Sequence, residues 1–294
     1  MDERATAQLS GTIGQWDQAT ICLAALAVAT SGAAPETLTA TAREVMAAAG
    51  LGDVLARPES LPFSLPQLSG MAAAPLLQAA AVAGGGYESW NTQSDSALTA
   101  QGRASGSTAI LFTRFVLPHF GDLADRLTRP GARMLDVGTG IGALATGFAQ
   151  SFPQLHVTGI DIMARVLEIA RTHVRATPVA SRVEFRRQGI EDLTDEACYD
   201  LAWIPAPFVP ESVFSAGIGR IVTALRPGGV LMVGHGLSGG SDLAAAITHF
   251  KTAIYGGTAL DGPSAREVLT EHGLTSVQTV AVPPGAPAIT AGRK

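Results

Sequence analysis

The feature that most constrains this chain is nine residues long. Met134 to Gly142 reads MLDVGTGIG: an apolar run interrupted by Asp136, then glycines at alternate positions, Gly138, Gly140 and Gly142. A short apolar run of this kind reads as a buried strand. Glycines directly after a strand take positive φ at no steric cost and let the backbone approach a ligand closely. A helical pattern follows, and its first turn offers unpaired N–H groups and the positive end of a dipole. The segment reads as a strand, a tight turn and a helix, with a ligand at the turn. Gly138, Gly140 and Ala143 also satisfy the GxGxx[G/A] spacing of dinucleotide sites. The loop alone does not choose between nucleotide ligands.

The rhythm around the loop extends the constraint. Candidate strands fall at 133–137, 156–161, 183–188, 199–204, 230–234, 277–282 and 288–291, with candidate helices at 142–151, 163–176, 212–225, 242–255 and 264–272. Alternation of this kind means a parallel sheet with crossover helices on both faces. Only the PPGAP turn, 283–287, separates the last two strands. That is too short for a crossover helix, so they are expected to form an antiparallel hairpin. Residues 1–130 differ. Helices are expected at 16–30, 35–49, 71–83, 94–102 and 105–127, with a break at Pro118 and a proline-rich link at 57–66. The expected division is a helical region over 1–130 and an α/β domain over 131–294.

Composition excludes several classes. Of 294 residues, 47% are hydrophobic and 15% charged, the reverse of a disordered chain. The longest apolar run, near 21–29, falls short of the roughly 18–20 residues of a spanning helix, so no membrane partner is expected. The net charge is -5, Lys251 and Lys294 are the only lysines, and no cluster of four basic residues occurs. A chain without a basic stripe is not expected to grip nucleic acid. Cys22 and Cys198 make no CxxC, so neither a metal nor a disulfide framework is expected. The N-terminal MDERATAQ lacks the pattern of a signal peptide, and the expected location is cytoplasmic.

The strand ends carry the binding chemistry. The second strand closes on Asp161, beside the glycine loop, where a carboxylate accepts hydrogen bonds from ribose hydroxyls. The third leads into Gln188–Asp192, next to where the base of a nucleoside lies, with Ile190 placed to pack on its face. LDVGTGIG at 135–142, the acid in TGIDIM, GIEDL after the third strand, YDLAWIPAPF, LRPGG at 225–229 and the closing hairpin stand in order. This region resembles the class I S-adenosylmethionine-dependent methyltransferases. The resemblance implies a Rossmann-like seven-stranded sheet of order 3-2-1-4-5-7-6, its last strand antiparallel, and S-adenosylmethionine as cofactor. It implies that Asp136, Gly138 and Gly140 shape the pocket for the methionine part. Asp161 would bind the ribose, Ile162 would lie beside the adenine, and Ile204 near the sulfonium. The family often places an acid directly after the glycine of the third-strand loop. Here that position is Ile190, which leaves Glu191 or the backbone to meet the adenine amino group.

Methyl transfer asks mainly for alignment in a dry pocket; a general base helps oxygen or carbon nucleophiles without being obligatory. His235, after the fifth strand, is the first candidate base, and His119 in LPHF the second. Methyltransferases acting on amino groups of bases or glutamine resemble one another in [N/D/S]PP[Y/F] after the fourth strand. This chain has Pro205, Ala206, Pro207 and Phe208, which suits an apolar wall for a substrate ring. Tyr87 and Trp90, behind three glycines, are candidates for a substrate lid. The reading is a small-molecule methyltransferase of secondary metabolism, an O-methyl product favoured, whose helical region caps the substrate and offers a homodimer interface. A cofactor-binding cyclase and an NAD(P)-dependent oxidoreductase are the alternatives.

Overall fold

The computed structural model describes all residues except 1–2, 86–89, 238–240 and 284–285. They form two compact units.

The first unit comprises residues 1–85 and 94–105. It is built from α1 (Glu3–Ser31), α2 (Glu36–Ala48), the single turn α3 (Gly52–Leu55), α4 (Leu65–Ala83) and α5 (Asp95–Ser105). α4 packs against both α1 and α5, and α2 against α1. The helix expected from residue 71 begins six residues earlier. Ser64 and Gln67 close a capping box around its N-terminus, and Pro66 sits in the first turn, where its missing N–H costs nothing. Two of the residues expected in a link therefore belong to α4.

The second unit takes 86–93 and 106–294. The boundary expected at 130/131 is thus displaced. Phe112, Val116, Phe120, Leu123 and Leu127 belong to the same apolar cluster as Met134, Phe148 and Met232. Apolar burial, rather than the helical pattern, decides where these residues belong. The helix expected over 105–127 is itself broken, into α6 (Thr108–Leu111), a π turn over 112–116, a 3₁₀ turn over 117–119 and α7 (Leu123–Thr128). Pro118 supplies no N–H to continue the ladder.

The sheet is formed by β1 (Arg133–Val137), β2 (His156–Asp161), β3 (Val183–Arg187), β4 (Tyr199–Pro205), β5 (Leu225–Leu237), β6 (Thr275–Val280) and β7 (Pro287–Arg293). Its order is β3-β2-β1-β4-β5-β7-β6. β1 to β5 run parallel, and β7 is antiparallel to both its neighbours, as expected. β1, β2, β4 and β5 are buried on both faces, which is why they read as continuous apolar runs. One face holds Met134, Leu201, Trp203 and Met232 against α8 (Ala143–Ser151). The other holds Leu135, Ile160, Ile204 and Val233 against Phe214 and Ile218 of α10 (Glu211–Ala224). α9 (Ala164–Arg175), α11 (Asp242–Tyr255) and α12 (Gly262–Glu271) complete the unit. Among the described residues no helix is long and apolar enough to cross a membrane.

β5 is longer than the expected 230–234. It starts at Leu225, paired with Tyr199, and continues through His235, paired with Ala288. That lengthening changes the position of one candidate catalytic residue.

Candidate active site

The C-terminal end of β1 carries the site. Gly138, Gly140 and Gly142 all have positive φ, 64°, 55° and 73°. The turn is pinned to the neighbouring strand by Thr139 N–H donating to the Ile160 carbonyl at 3.1 Å. At Gly142 a Cβ would lie 2.5 Å from the Phe185 ring, so glycine is needed there for packing as well as for conformation. Gly138 faces Pro205 of β4, whose ring a Cβ would only touch, at 3.6 Å. Loop and β4 end are therefore neighbours across the crevice where the sheet order reverses, the place where α/β sheets bind ligands.

Two carboxylates serve this loop. Asp136 is buried, and its Oδ2 accepts the Thr139 hydroxyl at 2.6 Å. Burial, with a smaller push from Asp161, raises its pKa to about 7. Asp161 ends β2, and its two oxygens accept from Gly140 N–H at 3.1 Å and Met163 N–H at 2.9 Å. Burial raises its pKa too, against the pull of those backbone donors. Among the described residues no cation pairs with either carboxylate. Each oxygen of Asp161 keeps a lone pair for a ligand hydroxyl. Next to it, Ile162 is 59% exposed, an apolar side chain held at the surface beside the acid.

The donor set fits S-adenosylmethionine. The positive-φ turn leaves room for a ligand against backbone, Asp161 suits a ribose, Ile162 suits the face of a base, and uncompensated acids suit a sulfonium and an ammonium. Other expectations meet the structure differently. Ile190 is buried, and its Cδ1 lies 2.1 Å from where a Cβ on Gly217 of α10 would stand. Its side chain packs into the core against α10. Ile204 is fully buried among Leu135, Ala202 and Phe214. Glu191 is exposed, and its carboxylate folds back toward Gly189.

Neither histidine is placed as a base. His235 is 3% exposed, and its Nε2 lies 2.8 Å from Thr290 Oγ1 on the neighbouring β7. Thr290 Oγ1 meets Thr279 Oγ1 at 2.9 Å, which in turn accepts from Arg266 at 2.9 Å. Burial lowers the imidazole pKa to about 4. The residue is one rung of a polar ladder under the antiparallel edge, because β5 extends past it. His119 is exposed, and its neighbour Phe120 lies under the Arg293 guanidinium. Arg293 pairs with Val230, at the opposite end of the strands from the glycine loop.

Behind Pro205 an aromatic cluster closes the β4 side. Trp90 packs edge-on against Phe208 and Tyr255 at centroid distances of 5.0 and 5.3 Å, and Phe208 stacks on Tyr255 at 4.5 Å. Thr258 fastens this corner, donating its N–H to the Ala206 carbonyl at 2.9 Å and its hydroxyl to the Val209 carbonyl at 2.7 Å. Tyr255 escaped sequence reasoning; an aromatic ending a helix directly before Gly256-Gly257 was the available signal. Burial pushes its phenol pKa upward. Trp90 thus lies against the β4 corner, and Tyr87 lies outside the described residues.

Strand order, closing hairpin, glycine turn and the acid that ends β2 define the class: the second unit has the class I S-adenosylmethionine-dependent methyltransferase fold. Residues 134–229 match the family model of a methyltransferase domain, about a third of the chain. A release factor glutamine methyltransferase from Rhodopirellula baltica is 31% identical over 115 residues, 39% of this chain and 38% of that protein. A ubiquinone biosynthesis O-methyltransferase from Xylella fastidiosa is 34% identical over 122 residues, 38% of this chain and 44% of that protein. This chain thus spans about two fifths of the length of the curated relatives it matches. A putative O-methyltransferase from Nostoc punctiforme shares the fold over 98% of both chains, with 17% identity and a TM-score of 0.60.

Proposed function

We propose that this protein transfers a methyl group from S-adenosylmethionine to a small-molecule acceptor, an oxygen nucleophile before nitrogen or carbon. One observation carries the reading. Asp136 and Asp161 stand at one glycine turn with no cationic partner among the described residues. Such a turn suits a cationic ligand. It disfavours the pyrophosphate of a dinucleotide, which would meet the Asp136 carboxylate at close quarters. Bound S-adenosylmethionine supplies a methyl already activated by its sulfonium.

This chain's residues then need to orient and to exclude water. Asp161 holds the ribose, the 138–140 backbone holds the methionine part, and Pro205 and Phe208 wall the acceptor side. No side chain described at the crevice is placed as a general base, so alignment and desolvation carry the rate. Pro205 has no polar side-chain atom to take an amide hydrogen, which weighs against the glutamine acceptor named in the Rhodopirellula relative. The O-methyltransferase activity named in the Xylella relative supports an oxygen acceptor. A substrate from secondary metabolism and a cytoplasmic location fit this reading. The exposed Leu9, Ile13 and Trp16, at helical spacing on α1, support a homodimer through the helical unit.

The test is a thermal shift followed by product detection. S-adenosylmethionine should raise the melting temperature, and S-adenosylhomocysteine should accumulate with a panel of phenols, carboxylic acids and amines. Stabilisation by NAD(P)H and none by S-adenosylmethionine would overturn the reading.

A further inference from the structure

Gln93 is 5% exposed, and its side-chain oxygen, Oε1, has no hydrogen-bond partner among the described residues. A buried amide oxygen left without a donor is costly, and such orphans are rare. Its surroundings indicate what satisfies it. Arg165, the second residue of α9 and four residues past Asp161, donates to the Gln93 carbonyl at 2.8 Å and to the Asn91 carbonyl at 3.3 Å. That ties residues 91–93 to the end of β2. Trp90 packs on Phe208, three residues past β4. β1 lies between β2 and β4. Two interstrand spacings amount to about 10 Å, a distance that four residues of chain can span. Residues 90–93 therefore cross above the C-terminal end of β1, over the glycine turn.

We propose that Gln93 is a cofactor-binding residue whose Oε1 accepts a hydrogen bond from the α-ammonium of the methionine part of S-adenosylmethionine. The inference rests on the cofactor reading above and adds a contact from outside the α/β sequence motifs. Elimination selects the ammonium. The cofactor has three sets of donors. The ribose hydroxyls belong to Asp161, and the adenine amino group lies out past Ile162, on the far side of β2 from β1. The ammonium remains, on the β1 side, where the 90–93 segment crosses. Arg165 is the positioning residue, since it holds the backbone from which Gln93 reaches.

Calorimetry with two ligands tests this. S-adenosylhomocysteine carries the ammonium, and 5′-methylthioadenosine has the same nucleoside without it. Gln93→Met keeps length and apolar bulk and removes the acceptor. It should weaken S-adenosylhomocysteine by about tenfold or more, as expected for a hydrogen bond to a charged group. Binding of 5′-methylthioadenosine should stay within about twofold of wild type. Gln93→Glu keeps an oxygen and should hold the preference for S-adenosylhomocysteine. If Gln93→Met does not fold, Gln93→Asn withdraws the oxygen by one methylene and carries the same expectation. Equal weakening of both ligands, or of neither, would overturn the proposal while leaving the cofactor reading intact. Failure of the wild-type protein to bind either ligand would remove both.

Discussion

Replacing Asp136 by asparagine preserves the shape of a side chain that is 1% exposed and keeps an oxygen for the Thr139 hydroxyl, but it removes the charge. In the folded protein this carboxyl titrates near pH 7 rather than near 3.8, chiefly because burial penalises its ionised form. The folded state therefore binds the proton more tightly than the unfolded chain, and protonation stabilises the fold. That contribution is complete below pH 3.8 and is lost as the pH rises to about 7. Each tenfold step in proton affinity is about 1.4 kcal/mol, so the whole contribution is on the order of 4 kcal/mol. Of this, about 2–3 kcal/mol disappears between pH 5 and pH 8. Asp136→Asn removes that loss. Urea unfolding of both proteins across this range should show the variant gaining about 2–3 kcal/mol on wild type as the pH rises. Parallel stability curves would show that Asp136 is ionised throughout, and that the turn solvates its charge better than the burial implies.

Further outcomes follow from the same geometry. Asp161→Ala should weaken S-adenosylhomocysteine binding by about 1–3 kcal/mol in calorimetry, since the ribose loses its charged acceptor. Gly142→Ala should destabilise the second unit by roughly 2 kcal/mol or more in urea, because a positive φ and the Phe185 ring both oppose a Cβ. His235→Ala should cost on the order of 2 kcal/mol of stability, by leaving a cavity and removing one of the two partners of Thr290, while cofactor affinity stays within about twofold; unchanged stability with lost turnover would restore it as a base. Phe208→Ala should raise the KM for the acceptor and leave cofactor affinity unchanged, as measured by steady-state kinetics and calorimetry.

The parts of this fold that were legible in the sequence share one property: each is decided by neighbours in the chain. β1 and β2 end where the apolar runs do, because Gly138 and Asp161 stop those runs locally. The hairpin follows from a connection too short for a helix. What was not legible depends on partners far away in sequence. Residues 105–127 read as helix, yet all but the first belong to the sheet unit because Phe112 and Leu123 find Phe148 and Met134. Ile162, Ile190 and Ile204 all follow or end strands and looked interchangeable as pocket residues. α10 covers two of them, Ile190 and Ile204, and leaves Ile162 outside.

His235 shows the same dependence on register. A strand alternates its side chains with a period of two, so a residue taken as lying just past β5 changes its meaning once β5 includes it. Pairing with Ala288 then sets it beside Thr290, and the imidazole that looked like a base becomes a buried acceptor or donor in a ladder. Gln93 is the converse. No motif surrounds it, and polar residues in a loop before a helix ordinarily face water. Only the Arg165 and Trp90 contacts reveal that its segment bridges the two strands flanking β1. A site of this class is therefore read in two parts. The motif residues mark the glycine turn, while Gln93, whose buried oxygen has no partner among the described residues, is the residue we propose completes the pocket.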